Sequence, residues 1–194
     1  MAIIDVLIVV DAPRIISDYG RNDGASTGKY VMIGPNDEGQ GYVYMVTTWK
    51  DAQGEGTSNL HVFAQKGDII RWRMTSMSMS SRFQCFLTHF VINNGGSFIT
   101  APQAKHQKVN SSHIDPNSPG LNVVVPSQID DFFWESTVLA QQHVTYHTQF
   151  CICGDECGGG GGGGESESEG GGGGGGSCSG GGNCGGYQWD PFIN

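Results

Sequence analysis

The sequence predicts an all-β chain: a β-sandwich of jelly-roll type, with a disordered glycine-rich loop inserted before its last strand. Three observations carry this expectation. Short runs rich in β-branched and aromatic residues recur between turn clusters, with no convincing amphipathic helix among them. Several of these runs alternate with a period of two. Of the 32 glycines, 20 lie between Gly154 and Gly186, yet the apolar segment YQWDPFI (Tyr187–Ile193) follows them. An apolar segment beyond a glycine tract is expected to return to the sheet, which makes the tract a loop and not a tail. The whole chain, 1–194, is then expected to be one domain, with 154–186 a flexible, cysteine-flanked insertion within it.

The elements follow in order. Ile3–Val10 is β-branched and apolar on both faces, as a central buried strand would be. Pro13 disfavours its continuation, and the polar stretch Ser17–Gly28 reads as a loop. Tyr42–Trp49 is a second strand, and Asp51–Asn59 is a turn-rich connection to the short run Leu60–Ala64. Gln65-Lys66-Gly67-Asp68 is a tight turn into Ile69–Met74, where Ile70, Trp72 and Met74 share one face and Arg71 and Arg73 the other. Met77 and Met79 fall on the arginine phase, so a bulge or bend near Thr75-Ser76 is expected. Phe83–Ile92 is a long strand, Asn93-Asn94-Gly95-Gly96 a turn and Ser97–Thr100 a short strand. Ala101–Gln128 contains Pro102, Pro116, Pro119 and Pro126 and reads as a long irregular loop, of a kind that is often partner-facing. Phe132–Leu139 and Val144–Cys153 close the series. In the second, Val144, Tyr146, Thr148, Phe150 and Ile152 lie on one face.

Composition limits the function. The net charge is −9, of which Asp155, Glu156, Glu165, Glu167 and Glu169 supply five negatives, leaving −4 on the remaining body. An acidic chain with no basic patch lacks the charge that phosphate recognition needs, so no nucleic-acid partner is expected. No segment reaches the roughly 18–20 apolar residues of a membrane helix, and Ile3–Val10 has neither a basic flank nor a cleavage site. A cytoplasmic location, with no membrane partner, is expected.

Four blocks carry a family resemblance. IIDVLIVVDA, GDIIRWRMTSMS, DDFFWESTVL and GYQWDPFI occur in this order and span nearly the whole chain apart from the glycine tract. Together they resemble the PixA/AidA inclusion-body protein family. The resemblance implies a small bacterial cytosolic β-sandwich protein found in intracellular inclusions, with lectin-like sugar binding and no catalytic motif. Ser81 stands where the family pattern has Asn, and the glycine insert replaces a short polar turn.

The candidate chemistry is sparse. No G-x-S-x-G elbow or H-E-x-x-H motif is present, so no enzyme and no catalytic residue is expected. His143 and His147 are about 13 Å apart if both lie in one strand, too far to share an ion. Cys151, Cys153, Cys157, Cys178 and Cys184 bracket the insert and are weak zinc candidates without a zinc-ribbon spacing. Reduced thiols, disulfides or intermolecular links compete with that reading. A loop-closing bridge from Cys153 or Cys157 to Cys178 or Cys184 is the easier disulfide geometry. The glycine runs lack the lysine and helix of a phosphate loop, and no cofactor is expected.

Sugar binding requires an aromatic face beside carboxylates. Trp49 with Asp51, and Tyr187 and Trp189 with Asp190, offer that pairing. The same aromatics also suit core positions, and the core reading is favoured because large aromatics dominate cores. The leading expectation is a self-associating, non-enzymatic sandwich that binds carbohydrate. A storage protein with no ligand comes next, and a small hydrolase last.

Overall fold

The computed structural model describes residues 1–34, 41–48, 50–78, 83–154 and 184–189. Its strands form two mixed sheets packed face to face. The first sheet has the order β3-β1-β6-β9-β8 and the second β2-β11-β10-β7. The strands of the first are β1 (Ile3–Val10), β3 (Val43–Thr47), β6 (Ile69–Ser76), β8 (Gln103–Ile114) and β9 (Val124–Thr137). The second comprises β2 (Val31–Met32), β7 (Phe83–Asn94), β10 (Thr145–Gly154) and β11 (Cys184–Trp189). β4 (Ala52–Gln53) and β5 (His61–Val62) form a separate antiparallel pair. Most pairings are antiparallel, but β1 runs parallel to β6 and β2 parallel to β11.

The inner faces follow from alternation. In β1 the residues Ile4, Val6, Ile8 and Val10 are buried, whereas Ile3 and Leu7 are exposed. The strand is therefore covered on one face, not on both as its composition suggested. Val43 and Met45 of β3, Trp72 of β6, Phe150 and Ile152 of β10 and Tyr187 and Trp189 of β11 complete one core cluster. Trp72, Phe90, Trp134 and Tyr146 form an aromatic contact across the two sheets, with ring centroids 4.9–5.7 Å apart.

Three local expectations are corrected. The stretch after β1 is helical: α1 (Ala12–Tyr19) and the single turn α2 (Gly24–Thr27) replace the expected loop. Asp11 caps α1 by accepting from Arg14 N, and Pro13 sits in the first turn, where its missing N–H costs nothing. No bulge interrupts β6, which pairs with β1 without a register shift as far as Ser76. The phase slip at Met77 marks the end of the strand. Finally, 101–128 is not irregular, because most of it belongs to β8 and β9.

The described part of the apolar segment, Tyr187–Trp189, does return as a last strand, but that strand begins earlier than its composition indicates, at Cys184. Gly185 and Gly186 are strand residues: Gly185 leaves room for the Tyr187 ring, and Gly186 lets α2 approach β11 closely. A Cβ on Gly186 would stand 2.4 Å from Ala25 N and 2.5 Å from Gly24 C. Asn22 Oδ1 bridges the same contact, accepting from Gly24 N at 2.8 Å and Gly186 N at 2.9 Å. Ser81 and residues 155–183, which hold the glycine runs, lie outside the described residues.

Candidate functional site

The long hairpin β8–β9 is the feature that least resembles a closed sandwich. The two strands pair over twelve consecutive positions, from Gln103↔Glu135 to Ile114↔Val124. Strand β6 pairs with β9 only from Ile69↔Thr137 to Trp72↔Trp134. Beyond Trp134 the ribbon leaves the sheet, and residues 124–133 have no ladder partner on their β6 side among the described residues. The connection is well formed. Asp115 Oδ1 accepts from Asn117 N at 2.9 Å, Ser118 Oγ donates to Asp115 O at 2.8 Å, and Gly120 takes the left-handed conformation.

An ionic cluster fastens the base of this arm. Arg71 Nε donates to Glu135 Oε2 at 2.8 Å. Arg73 donates to both carboxylate oxygens of Asp131, from Nε at 2.8 Å and Nη2 at 2.7 Å, and its Nη1 meets Asp5. Both guanidinium groups lie over the ring of Phe133, at 4.8 and 4.9 Å from its centroid, which buries that ring on an otherwise polar face. The Arg73 hydrogen bonds hold the Asp131 carboxyl below the usual carboxylate range. An acid held ionised in this way is an anchor and not a proton donor.

Past the base, the arm exposes apolar side chains on both faces. Phe132 is 65% exposed, Val124 63%, Ile114 53% and Ile129 52%. Register places Ile114 opposite Val124 and Val109 opposite Ile129. Strand alternation sets these two pairs on opposite faces of the ribbon. Phe132 is covered on one side only, by the imidazole of His106 stacked at 4.6 Å. His106 Nε2 and Lys108 Nζ also approach Asp130, at 2.9 and 3.2 Å. Strand β8 is a sheet edge over its full length.

The residues expected to bind sugar are not brought together. Tyr187 is 0% exposed and Trp189 5%, so both are core side chains with no ring face open to a solute. Tyr187 Oη is satisfied within the fold, donating to Gly20 O at 2.7 Å. Asp51 is exposed beside Lys50 at the start of β4. Trp49 and Asp190 lie outside the described residues.

The cysteines divide. Cys153 and Cys184 are directly opposed in β10 and β11 and form a disulfide across the mouth of the insertion. Cys151 and Cys85 are free thiols, and burial pushes that of Cys85 up to about 12. Cys157 and Cys178 lie outside the described residues. Among the described residues, no three His, Cys, Asp or Glu side chains are grouped to hold a metal, and no helix is long and apolar enough to cross a membrane.

This architecture can be compared with known proteins. A crystal structure of an inclusion body protein (PixA) from Burkholderia cenocepacia superposes with a TM-score of 0.65 at 15% identity, covering 97% of this chain and 92% of that one. At that identity the likeness concerns the fold. No curated protein matches the chain at the sequence level. The profile of the PixA family, described as inclusion body protein, matches residues 2–194. The chain belongs to the PixA inclusion body protein family. The match spans the β8–β9 arm as well as the sandwich of this PixA-family chain, and the order of blocks seen in its sequence is the order of its core strands.

Sequence reasoning missed the arm. Its one available signal was the spacing of the prolines. Pro102 precedes β8, and Pro116 and Pro119 lie in the connection. Pro126 alone falls within a strand, β9.

Proposed function

We propose that this PixA-family chain is a non-enzymatic, self-associating protein of intracellular inclusions, assembled through its β8–β9 arm. The observation that carries this reading is a two-stranded ribbon with exposed apolar side chains on both faces and unpaired backbone along its edges. An isolated two-stranded ribbon is marginal in water, and an exposed sheet edge is a template for another strand. A second copy supplies both the missing strand and an apolar cover.

The arm has two unlike edges. Strand β8 carries Lys105, His106 and Lys108, and the free stretch of β9 carries Asp130 and Asp131. Pairing the β8 edge of one copy with the β9 edge of the next brings the basic strand of one arm beside Asp130 of the other, which His106 and Lys108 of its own arm already approach. It is a head-to-tail contact that leaves one unpaired edge at each end of the growing assembly, so it can propagate as growth of an inclusion requires. Pairing β8 with β8 would set like charges close together, which is unfavourable.

The reading requires neither an active site nor a sugar. Asp131 and Glu135 are committed to arginines, and Tyr187 and Trp189 are committed to the core. A cytoplasmic location belongs to the same proposal. There the Cys153–Cys184 pair would be reduced, because cytosolic thiols are normally kept so.

Sedimentation velocity over a range of concentrations tests the proposal. Wild-type protein is expected to form species far larger than the 20.7 kDa monomer. The double substitution Ile129→Ser, Phe132→Ser is expected to sediment as a monomer while keeping its circular dichroism. Wild-type protein that stays monomeric at every concentration would rule the proposal out.

A further inference from the structure

A cavity of about 450 Å³ opens at the end of the sandwich between β5, β6 and the connection from Val138 to Tyr146. That volume lies within the range of small-molecule sites. Its inner wall contains Trp72, Tyr146, Ile70, Val138 and Ile99, all apolar or aromatic. The polar groups His61, Gln141, Gln142 and His143 also line it, and the last three are exposed, so they form its mouth. No Asp, Glu, Lys or Arg lines the cavity.

Two details define what would fit. Trp72 and Tyr146 meet edge to face, with centroids 5.7 Å apart, and Trp72 Nε1 donates to Tyr146 Oη at 3.1 Å. The hydroxyl thus acts as acceptor in its one hydrogen bond among the described residues. Its own proton has no acceptor among the described residues. Burial also raises its pKa to about 12, which keeps the proton in place at neutral pH. A donor that lines an apolar cavity without a protein acceptor gains a hydrogen bond from a bound acceptor.

We infer that this cavity is a binding site for an uncharged, largely apolar ring compound that bears one hydrogen-bond acceptor, taken by the Tyr146 hydroxyl. The absence of a charged lining excludes phosphates and carboxylates, whose charge would go uncompensated. The apolar inner wall excludes polyhydroxylated ligands, whose hydroxyls would find too few partners there. Gln141, Gln142 and His143 at the mouth suit a polar substituent at the outer end of the ligand. The inference is independent of arm-mediated assembly, since the cavity and the arm lie on different elements.

Calorimetric titration of the full chain with 2-acetylnaphthalene and its near-isostere 2-ethylnaphthalene tests the site. The ketone is expected to bind saturably at one site per chain. Tyr146→Phe should weaken the ketone about five- to tenfold, the worth of one neutral hydrogen bond, and leave the hydrocarbon unchanged. Ala140→Phe and, independently, Ala64→Phe should abolish binding of both while circular dichroism stays native. Either of three results would overturn the proposal: no saturable binding by folded wild-type protein, binding that survives both cavity-filling substitutions, or binding of simple methyl glycosides in preference to the naphthalenes.

Discussion

Arg73 holds Asp131 with two parallel hydrogen bonds, Nε to Oδ1 at 2.8 Å and Nη2 to Oδ2 at 2.7 Å. The grip falls where β9 has already parted from β6, three residues past their last ladder pair at Trp134. Bidentate pairing fixes direction as well as distance. It therefore sets the angle at which the arm leaves the sandwich. Asp131→Asn should lower stability by about 1–2 kcal/mol, the range for a partly exposed charged hydrogen bond. Urea denaturation measures the loss. Amide exchange should accelerate within 124–133 and stay unchanged in β1.

The same pair predicts an acid limb in stability. Asp131 is held below its ordinary value of 3.8 by the Arg73 hydrogen bonds, and Asp68 by the backbone N–H groups of Ala2 and Gln65. A carboxyl with a depressed folded-state pKa contributes its stability above about pH 4 and loses it as pH falls through the folded value. Thermal melts should therefore be flat near neutrality and fall steeply below about pH 4. In Asp131→Asn the fall should be shallower. An unchanged slope would mean that the pair contributes nothing.

Trp189 offers a test of place against chemical type. It is buried, so Trp189→Ala should cost about 3–5 kcal/mol of stability. A ligand-binding tryptophan on the surface would instead leave the melting temperature unchanged. Differential scanning calorimetry separates the two outcomes.

What was legible in the sequence follows from physics. The inner and outer faces of β6 were readable because Trp72 and the arginines Arg71 and Arg73 alternate cleanly across a half-buried strand. The return of β11 was readable because Tyr187 and Trp189 follow a tract that offers nothing to a core. The arm was not, because strands exposed on both faces carry no burial alternation, and the prolines around them resemble loop punctuation. Helix α1 was hidden for a related reason: Pro13 breaks a strand and equally well begins a helix behind the cap of Asp11. Tyr187 and Trp189 suit a core or a sugar site equally by residue type, and only their burial decides between the two.

Gly186 should resist substitution although it follows a run of apparently dispensable glycines. A methyl group there meets the backbone of Gly24 and Ala25, which cannot move aside as a side chain can. Gly186→Ala should destabilise by about 1–3 kcal/mol, the usual cost of overpacking. Chemical denaturation of the single variant measures it.

The cross-strand disulfide should matter only under oxidising conditions. Cys153 and Cys184 are 31 residues apart in sequence, and closing a loop of that size stabilises by about 3–4 kcal/mol on the chain-entropy estimate. Cys184→Ser should lower the melting temperature of oxidised protein and leave that of reduced protein nearly unchanged. Paired melts with and without dithiothreitol make the comparison.

Hydrogen–deuterium exchange as a function of protein concentration tests arm-mediated assembly most directly. If the arm is the assembly element, amides of Gln103–Ile114 and of residues 124–133 gain protection as concentration rises, while those of β1 do not change. Large assemblies that form with no change in protection along the arm would contradict it.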